Sequence, residues 1–345
     1  MSELLRLHRE LDVVSRSRRG ARFLSGWQTT HPFVKEYLPS PREQVDVADR
    51  YSFLSDSEPL CTAIRDFHRA NDGVDHSLDS IFVAPGSSPL LTAFFLALRE
   101  MGIEDVCHAA PLYYTCHYLA QCLGFPLTQV AGGLLHDPDA ALDLPDRRTA
   151  LLLSDPIWVC GTTVHERHLR RIHDWQDSTG SVVLIDGTFQ YTKWHGDRTE
   201  LSAFLHRDRT FRIVCPTKSL AVHGVRFAYM LLPPRHRESI RYACSNVTGA
   251  TGLANEHHAL RLMSVLNSPE ANQGLIEHIK TTHEKLVANG TLLAEAATPH
   301  ASYYTFAKLP DDVLRDAVVM DQRYFGIRGH EGHVRVNLLC EEWAR

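Results

Sequence analysis

The sequence has no apolar run approaching the ~20 residues that span a bilayer, and no block of Lys and Arg dense enough to draw it to nucleic acid or an anionic surface. Its 36 basic and 41 acidic residues leave a formal charge of −5, so a small-molecule substrate is expected rather than a polyanion. Cysteine pairs are missing as well. The eight cysteines (Cys61, Cys107, Cys116, Cys122, Cys160, Cys215, Cys244 and Cys340) are scattered with no C-x-x-C among them, which argues for reduced thiols and against a zinc knuckle or a disulfide framework. There is no G-x-x-x-x-G-K loop for a nucleoside triphosphate, and TGATG at 248–252 follows no strand pattern, as a dinucleotide site would require. None of the 21 histidines belongs to an H-E-x-x-H, and no paired carboxylates frame His257-His258 or His330 with His333, so no metal is expected. The opening MSELLRLHRELDVV mixes acids with its arginines instead of building a signal-peptide core; a cytoplasmic protein with neither nucleic-acid nor membrane partners is expected.

At 345 residues and 44% hydrophobic content, the chain can bury a large core. From about residue 80, short runs rich in Val, Ile and Leu recur, each closed by a small or turn-forming residue. They are SIFVAPG (80–86), DVCHAAP (105–111), PLTQVAG (126–132), TALLLSDP (149–156), SVVLIDG (181–187), RTFRIVCP (209–216) and FAYMLLP (227–233). Continuous rather than alternating apolarity marks strands covered on both faces, as in a mostly parallel sheet. Between them, SPLLTAFFLALREMG and VHERHLRRIHDWQDSTG carry helical spacing and stop at Gly, as crossover connections require. The expected fold is α/β: a seven-stranded, mostly parallel sheet with helices on both faces, in a large domain over residues 46–245. Helical patterns after residue 246 lead to the strand-like HASYYTFAKL and GHVRVNLL, giving a smaller α+β domain over 246–345 against which the segment 1–45 packs. In such sheets the site lies at the carboxyl ends of the strands. That rule places Gly86, Asp155, Asp186 and the stretch Cys215 to Lys218 on one rim.

The segment CPTKSLAVHGVRFAYML carries the most chemistry. Lys218 lies two residues past a buried-strand pattern with no acid beside it, and Arg226 opens the next strand, where it could return to the same rim as an anion clamp. A partly desolvated lysine at a strand end is the setting of a Schiff-base nucleophile. The segment resembles the S-x-S-K and G-x-R signature of the class I/II aminotransferases, fold-type I enzymes that depend on pyridoxal 5′-phosphate (PLP). Here it reads Cys215-Pro216-Thr217-Lys218 and then Gly224-Val225-Arg226, with Cys215 where a phosphate-binding Ser is usual. Other landmarks of that family follow in order. Gly86-Ser87-Ser88 ends a strand and opens a helix, where backbone N–H groups would hold the cofactor phosphate. The family's P-x-aromatic pattern falls on Pro111 and Tyr113, making Tyr113 the ring stacked on the pyridine. Asp186 matches the aspartate that keeps the pyridine nitrogen protonated, and Arg335 in GHVRVNLL matches the arginine that binds the substrate α-carboxylate. The resemblance further implies phosphate contacts from Cys215, Thr217 and Arg226, a substrate contact at Gly26, and a homodimer in which Tyr51 reaches a phosphate across the interface.

Two of the departures from the family pattern fall on donors to one cofactor atom. N-P-x-N-P-T-G-x-V maps without a gap onto Asp155 to Thr163, placing Trp158 where an Asn donates to the cofactor's phenolic oxygen. D-x-x-Y maps onto Asp186-Gly187-Thr188-Phe189, placing Phe189 where a Tyr donates to the same atom. This joint loss, and a D-G-x-F wording similar to capreomycidine synthase-like enzymes, suggest a natural-product side branch. Amino transfer acting on an α-amino acid is the first expectation. A PLP-dependent cyclisation, elimination, replacement or oxidation is the alternative, and a non-catalytic PLP-fold binding protein is the third, disfavoured by retention of Lys218, Asp186 and Arg226.

Overall fold

The computed structural model describes residues 3–17, 22–38, 57–249, 253–315 and 317–343. A first strand, β1 (Arg22–Phe23), belongs to the N-terminal segment. The seven apolar runs then become β2 (Ile81–Ala84), β3 (Val106–Ala109), β4 (Leu127–Ala131), β5 (Ala150–Ser154), β6 (Val182–Gly187), β7 (Thr210–Val214) and β8 (Ala228–Leu231). They form one sheet in the order β2-β8-β7-β6-β5-β3-β4, parallel throughout except that β8 runs against both β2 and β7.

The continuous apolarity of these runs follows from side chains alternating between two covered faces. Ile81, Val83, Leu151, Leu153, Val183 and Ile185 enter one core, whereas Phe82, Ala84, Leu152, Val182 and Leu184 enter the other. Helices Ser87–Glu100, Tyr114–Cys122 and Arg237–Thr248 close the second core with Leu90, Phe94, Leu119 and Ile240. Helices Glu58–Asp72 and Glu166–Thr179 close the first with Ile64, Phe67, Leu169 and Ile172. Each such Leu, Ile or Phe contributes roughly 1.5–3 kcal/mol by leaving water. Both helices stop where the sequence supplies a glycine able to take a left-handed conformation, Gly73 at φ 66° and Gly180 at φ 68°. No helix among the described residues is long and apolar enough to cross a membrane.

One buried cation interrupts the sheet. Arg212 on β7 donates to Asp72 at 2.9 Å, and the same carboxylate takes the hydroxyl of Tyr191 at 2.9 Å and lies 2.8 Å from Nδ1 of His68. Burial pushes the Asp72 carboxyl up, but the His68 hydrogen bond and the Arg212 charge hold it well below the usual carboxylate range. The network fixes Tyr191, at φ 63°, just beyond the end of β6.

Beside this sheet, β9 (Ala294–Glu295), β10 (Tyr304–Lys308) and β12 (Val334–Asn337) form an antiparallel sheet in the order β12-β10-β9, whose Phe306 and Val336 share a core cluster with Leu275, Ile279 and Leu286 of helix Pro269–Ala288. The chain's beginning is bound to it: β1 pairs in parallel with β11 (Ala317–Val318), and Asn337 Nδ2 donates to the carbonyls of Gly26 and Gln28 at 3.0 and 2.7 Å. The two sheets meet at residues 300–302. There the carbonyl of Gly161 accepts the N–H groups of His300 and Ala301 at 2.8 and 2.9 Å, and Trp194 Nε1 donates to the Ser302 carbonyl at 2.9 Å.

Candidate active site

A cavity of about 290 Å³ opens at the carboxyl ends of the parallel strands, between the two sheets. Its floor comes from strand ends that the sequence orders one after another. The end of β2 supplies Gly86, Ser87 and Ser88, the turn after β3 supplies Tyr113, β6 supplies Asp186 and the turn after it Phe189, and β7 leads to Cys215, Thr217 and Lys218. Because β8 runs the opposite way, its start returns to the same rim and brings Arg226 there. The facing wall holds Arg335 on β12, with Trp158 and the β10 residue Tyr304 beneath its guanidinium at 5.3 and 4.5 Å.

Lys218 sits on the short helix Pro216–Ser219, its N–H bonded to the Cys215 carbonyl at 2.8 Å. Its Nζ lies 5.0 Å from the ring centre of Phe189 and 5.7 Å from that of Tyr113. Asp186 accepts the N–H of Thr188 at 3.2 Å, which aims the carboxylate back over the strand end. Cys215 turns its thiol to the Phe227 carbonyl, 3.5 Å away, and to the Thr217 hydroxyl at 3.1 Å. Arg335 is buried, with Nε 3.1 Å from the Ser25 carbonyl and Nη2 bonded to the same oxygen; its pKa is lowered by desolvation.

The phosphate-sized end of the cavity is shaped by Gly86. Its backbone, at φ 105° and ψ 172°, leads into the Ser87–Glu100 helix with no side-chain cap, and a Cβ there would fall 2.5 Å from Nη2 of Arg226. A guanidinium thus lies against the uncapped N-terminus of a long helix. Among the described residues no carboxylate pairs with it. That donor set suits a dianionic phosphate.

Three expectations need correction or restriction. Asp155 does not line the cavity. It is buried, one oxygen accepts the Val164 N–H at 2.9 Å, and burial pushes its carboxyl up against the opposing hydrogen bonds from Ser202 and Val164. Gly26 lies behind the wall, its carbonyl taken by Asn337 and by the Tyr304 hydroxyl at 3.3 Å, and its neighbour Trp27 is the residue that faces the cavity. Tyr51 lies outside the described residues.

Sequence reading also missed residues that line this space: Trp27, Thr188, His223, Tyr303 and Tyr304. His223 was within sight, between Lys218 and Arg226. Its Nε2 lies 3.2 Å from the Tyr303 hydroxyl, and burial, then the Lys218 charge, lower its pKa to about 4. At neutral pH it is an uncharged imidazole. Tyr303 in turn packs edge-on against Phe189, ring centres 5.2 Å apart.

A sequence profile described as aminotransferase class I and II matches residues 46–342. Histidinol-phosphate aminotransferase of Paenarthrobacter aurescens (strain TC1) is 26% identical over 273 residues, 74% of this chain and 69% of the relative. Among solved structures, aspartate aminotransferase of Thermotoga maritima superposes with a TM-score of 0.78 at 18% identity, covering 100% of this chain and 94% of its own. N-succinyldiaminopimelate aminotransferase of Mycobacterium tuberculosis gives 0.76 at 18% identity, with 99% and 95% covered. These structural likenesses carry the fold, and the profile carries the membership. The chain belongs to the class I and II aminotransferase family of enzymes.

Proposed function

We propose that this enzyme holds PLP on Lys218 and transfers the amino group of an α-amino acid. One observation carries the reading. Lys218, Asp186, Arg226 and Arg335 converge on one cavity, and among the described residues none has a salt-bridge partner. Four ionisable groups without a counter-charge in a partly dry space are costly, and a ligand carrying a phosphate, a basic ring nitrogen, an aldehyde and, beside them, a carboxylate would complement each.

In this assignment Arg226 and the N–H groups at Ser87 and Ser88 hold the phosphate, Tyr113 stacks against the ring, and Asp186 keeps the ring nitrogen protonated. When bound, the protonated ring supplies an electron sink for charge developing at the substrate Cα. Arg335 holds the α-carboxylate through a planar fork, and Trp158 and Tyr304 beneath it exclude water from that ion pair. The Lys218 amine, at the strand-end rim of the cavity, would be the group placed to move the proton at the substrate Cα. His223, uncharged, adds no second positive charge beside that amine.

Borohydride reduction of the cofactor-loaded protein followed by peptide mapping tests the assignment. The label is expected on Lys218, and a label on any other lysine overturns it.

A second reading has its own support. Trp158 and Phe189 line the cavity where the family pattern places an amide and a phenol donor, and this change supports cyclisation, elimination, replacement or oxidation of the amino acid as the alternative outcome. Mixing the loaded enzyme with one amino acid alone separates the two. Amino transfer releases one equivalent of keto acid per site without a second substrate, whereas the alternatives do not leave the amino group on the enzyme.

A further inference from the structure

We infer that His173, Asp177 and His206 form a binding site for a divalent transition-metal ion, zinc by chemistry, at the sheet edge opposite the Lys218 cavity. His173 and Asp177 are one turn apart on helix Glu166–Thr179, so their side chains share a face. His206 comes from the chain entering β7, four residues before its first residue Thr210, and therefore from the amino end of the sheet.

The three ligating atoms lie within 4.8 Å of one another. His206 Nε2 is 2.7 Å from Asp177 Oδ1, and the two imidazoles stack with ring centres 4.5 Å apart. An ordinary surface cluster accounts for the 2.7 Å contact but not for His173. Its Nδ1 stands 3.7 Å from Asp177 Oδ2 and 3.8 Å from Asp174 Oδ1, beyond hydrogen-bond length from both. Such gaps approach the edges of a tetrahedron whose bonds are about 2.0–2.2 Å long, the zinc distances to imidazole and carboxylate. Two imidazoles and one or two carboxylates suit zinc and its neighbours and suit magnesium or calcium poorly. On binding, the ion takes the place of the proton between His206 and Asp177, which moves to the other ring nitrogen. Arg209 is the competing cation. Its Nη1 lies 3.5 Å from Asp177 Oδ1 and is tied to the Gln176 carbonyl at 2.6 Å, which makes this an exchangeable site rather than a structural one.

The test is zinc chloride titrated calorimetrically into chelator-treated, cofactor-loaded full-length protein. His173→Ala and His206→Ala are compared with a control in which His257 and His258 are both changed to Ala. A saturable site is expected in the parent and the control. It should weaken roughly tenfold or more in each single variant, since losing even a hydrogen bond to a metal-bound histidine costs that much. At equal zinc concentration the melting temperature of the parent should rise further than that of either variant, and magnesium should raise none of them. Should His206→Ala destabilise the fold by itself, His173→Ala, which breaks no hydrogen bond among the described residues, decides. Equal zinc binding by the parent and His173→Ala, or no saturable binding at all, overturns the site.

Discussion

Gly86→Ala should loosen the protein's hold on its cofactor far more than it loosens the fold. Gly86 has φ 105° and ψ 172°, a region nearly closed to other residues, so a side chain there costs on the order of 1–3 kcal/mol in backbone strain. Gly73→Ala is the matched control. Its φ of 66° is also strained for alanine, by about 1–2 kcal/mol, but nothing lies within 4 Å of the added Cβ. The two substitutions therefore cost similar stability and differ in one respect. At Gly86 the Cβ would fall 2.5 Å from Nη2 and 3.2 Å from Cζ of Arg226, so the guanidinium must swing aside. A hydrogen bond to a charged group contributes roughly 1.5–3 kcal/mol, so losing the Arg226 contact should raise the phosphate-dependent Kd roughly 10–100-fold. The assay pairs urea melts with equilibrium binding of pyridoxamine 5′-phosphate, which lacks the aldehyde and so reports the phosphate cradle without Lys218. Gly73→Ala should show the stability loss alone. Unchanged affinity in Gly86→Ala would refute the cradle.

The other predictions concern charge. Asp186→Ala should keep some cofactor but lose turnover by on the order of 10²–10⁴-fold, several kcal/mol of barrier; near-normal kcat would remove its role at the ring nitrogen. Burial, then repulsion from Asp155, push the Glu200 carboxyl up to about 8 from 4.5, outweighing Lys193 at 3.2 Å. A raised carboxyl keeps its proton longer when folded, so this contribution to stability is whole below about pH 4.5 and is lost as pH rises through about 8. Glu200→Gln should flatten that decline in urea melts between these limits, and an unaltered slope would count against it. Finally, with an indole at Trp158 and a phenyl ring at Phe189 in place of the family's amide and phenol donors, the loaded enzyme should stay yellow across neutral and mildly alkaline pH. Bleaching below neutral pH would show that other donors have replaced them, and the hydrogen-bonded Tyr303 and His223 are one such polar pair lining the cavity.

Much of this was legible because strand ends are local facts. A buried run closing in Gly, Asp or Cys-Pro-Thr-Lys announces both a strand and the rim where it stops, and all seven runs became strands of one sheet. What strand order cannot convey is the direction of a side chain beyond the rim. Asp155 occupies the expected edge, yet its carboxyl is recruited by the Val164 N–H nine residues on, a choice made by the loop. The wall opposite Lys218 was half legible: Arg335 follows from its strand, but Tyr303 and Tyr304 looked like ordinary strand aromatics until the small sheet faced the large one. His173 and Asp177 were an unremarked helical pair because His206, the residue that gives them meaning, arrives from a different loop.

The clasp at Gly161 bears on how this chain could be recombined with its relatives. Numbered along the chain, Trp158 belongs with the large sheet. Its loop nevertheless delivers the Gly161 carbonyl to His300 and Ala301, while Trp194 reaches the Ser302 carbonyl from another loop of the large sheet. A chimera spliced near residue 246 would divide the core that the two sheets share and also bring together loops never fitted to one another. An incoming partner that altered the path of residues 300–302 would strand these buried donors and acceptors at about 1–3 kcal/mol each. The natural crossover unit is therefore not a domain but the pair of sheets with its seam, and grafting substrate preference onto this scaffold requires 157–161, 192–194 and 300–304 to travel together.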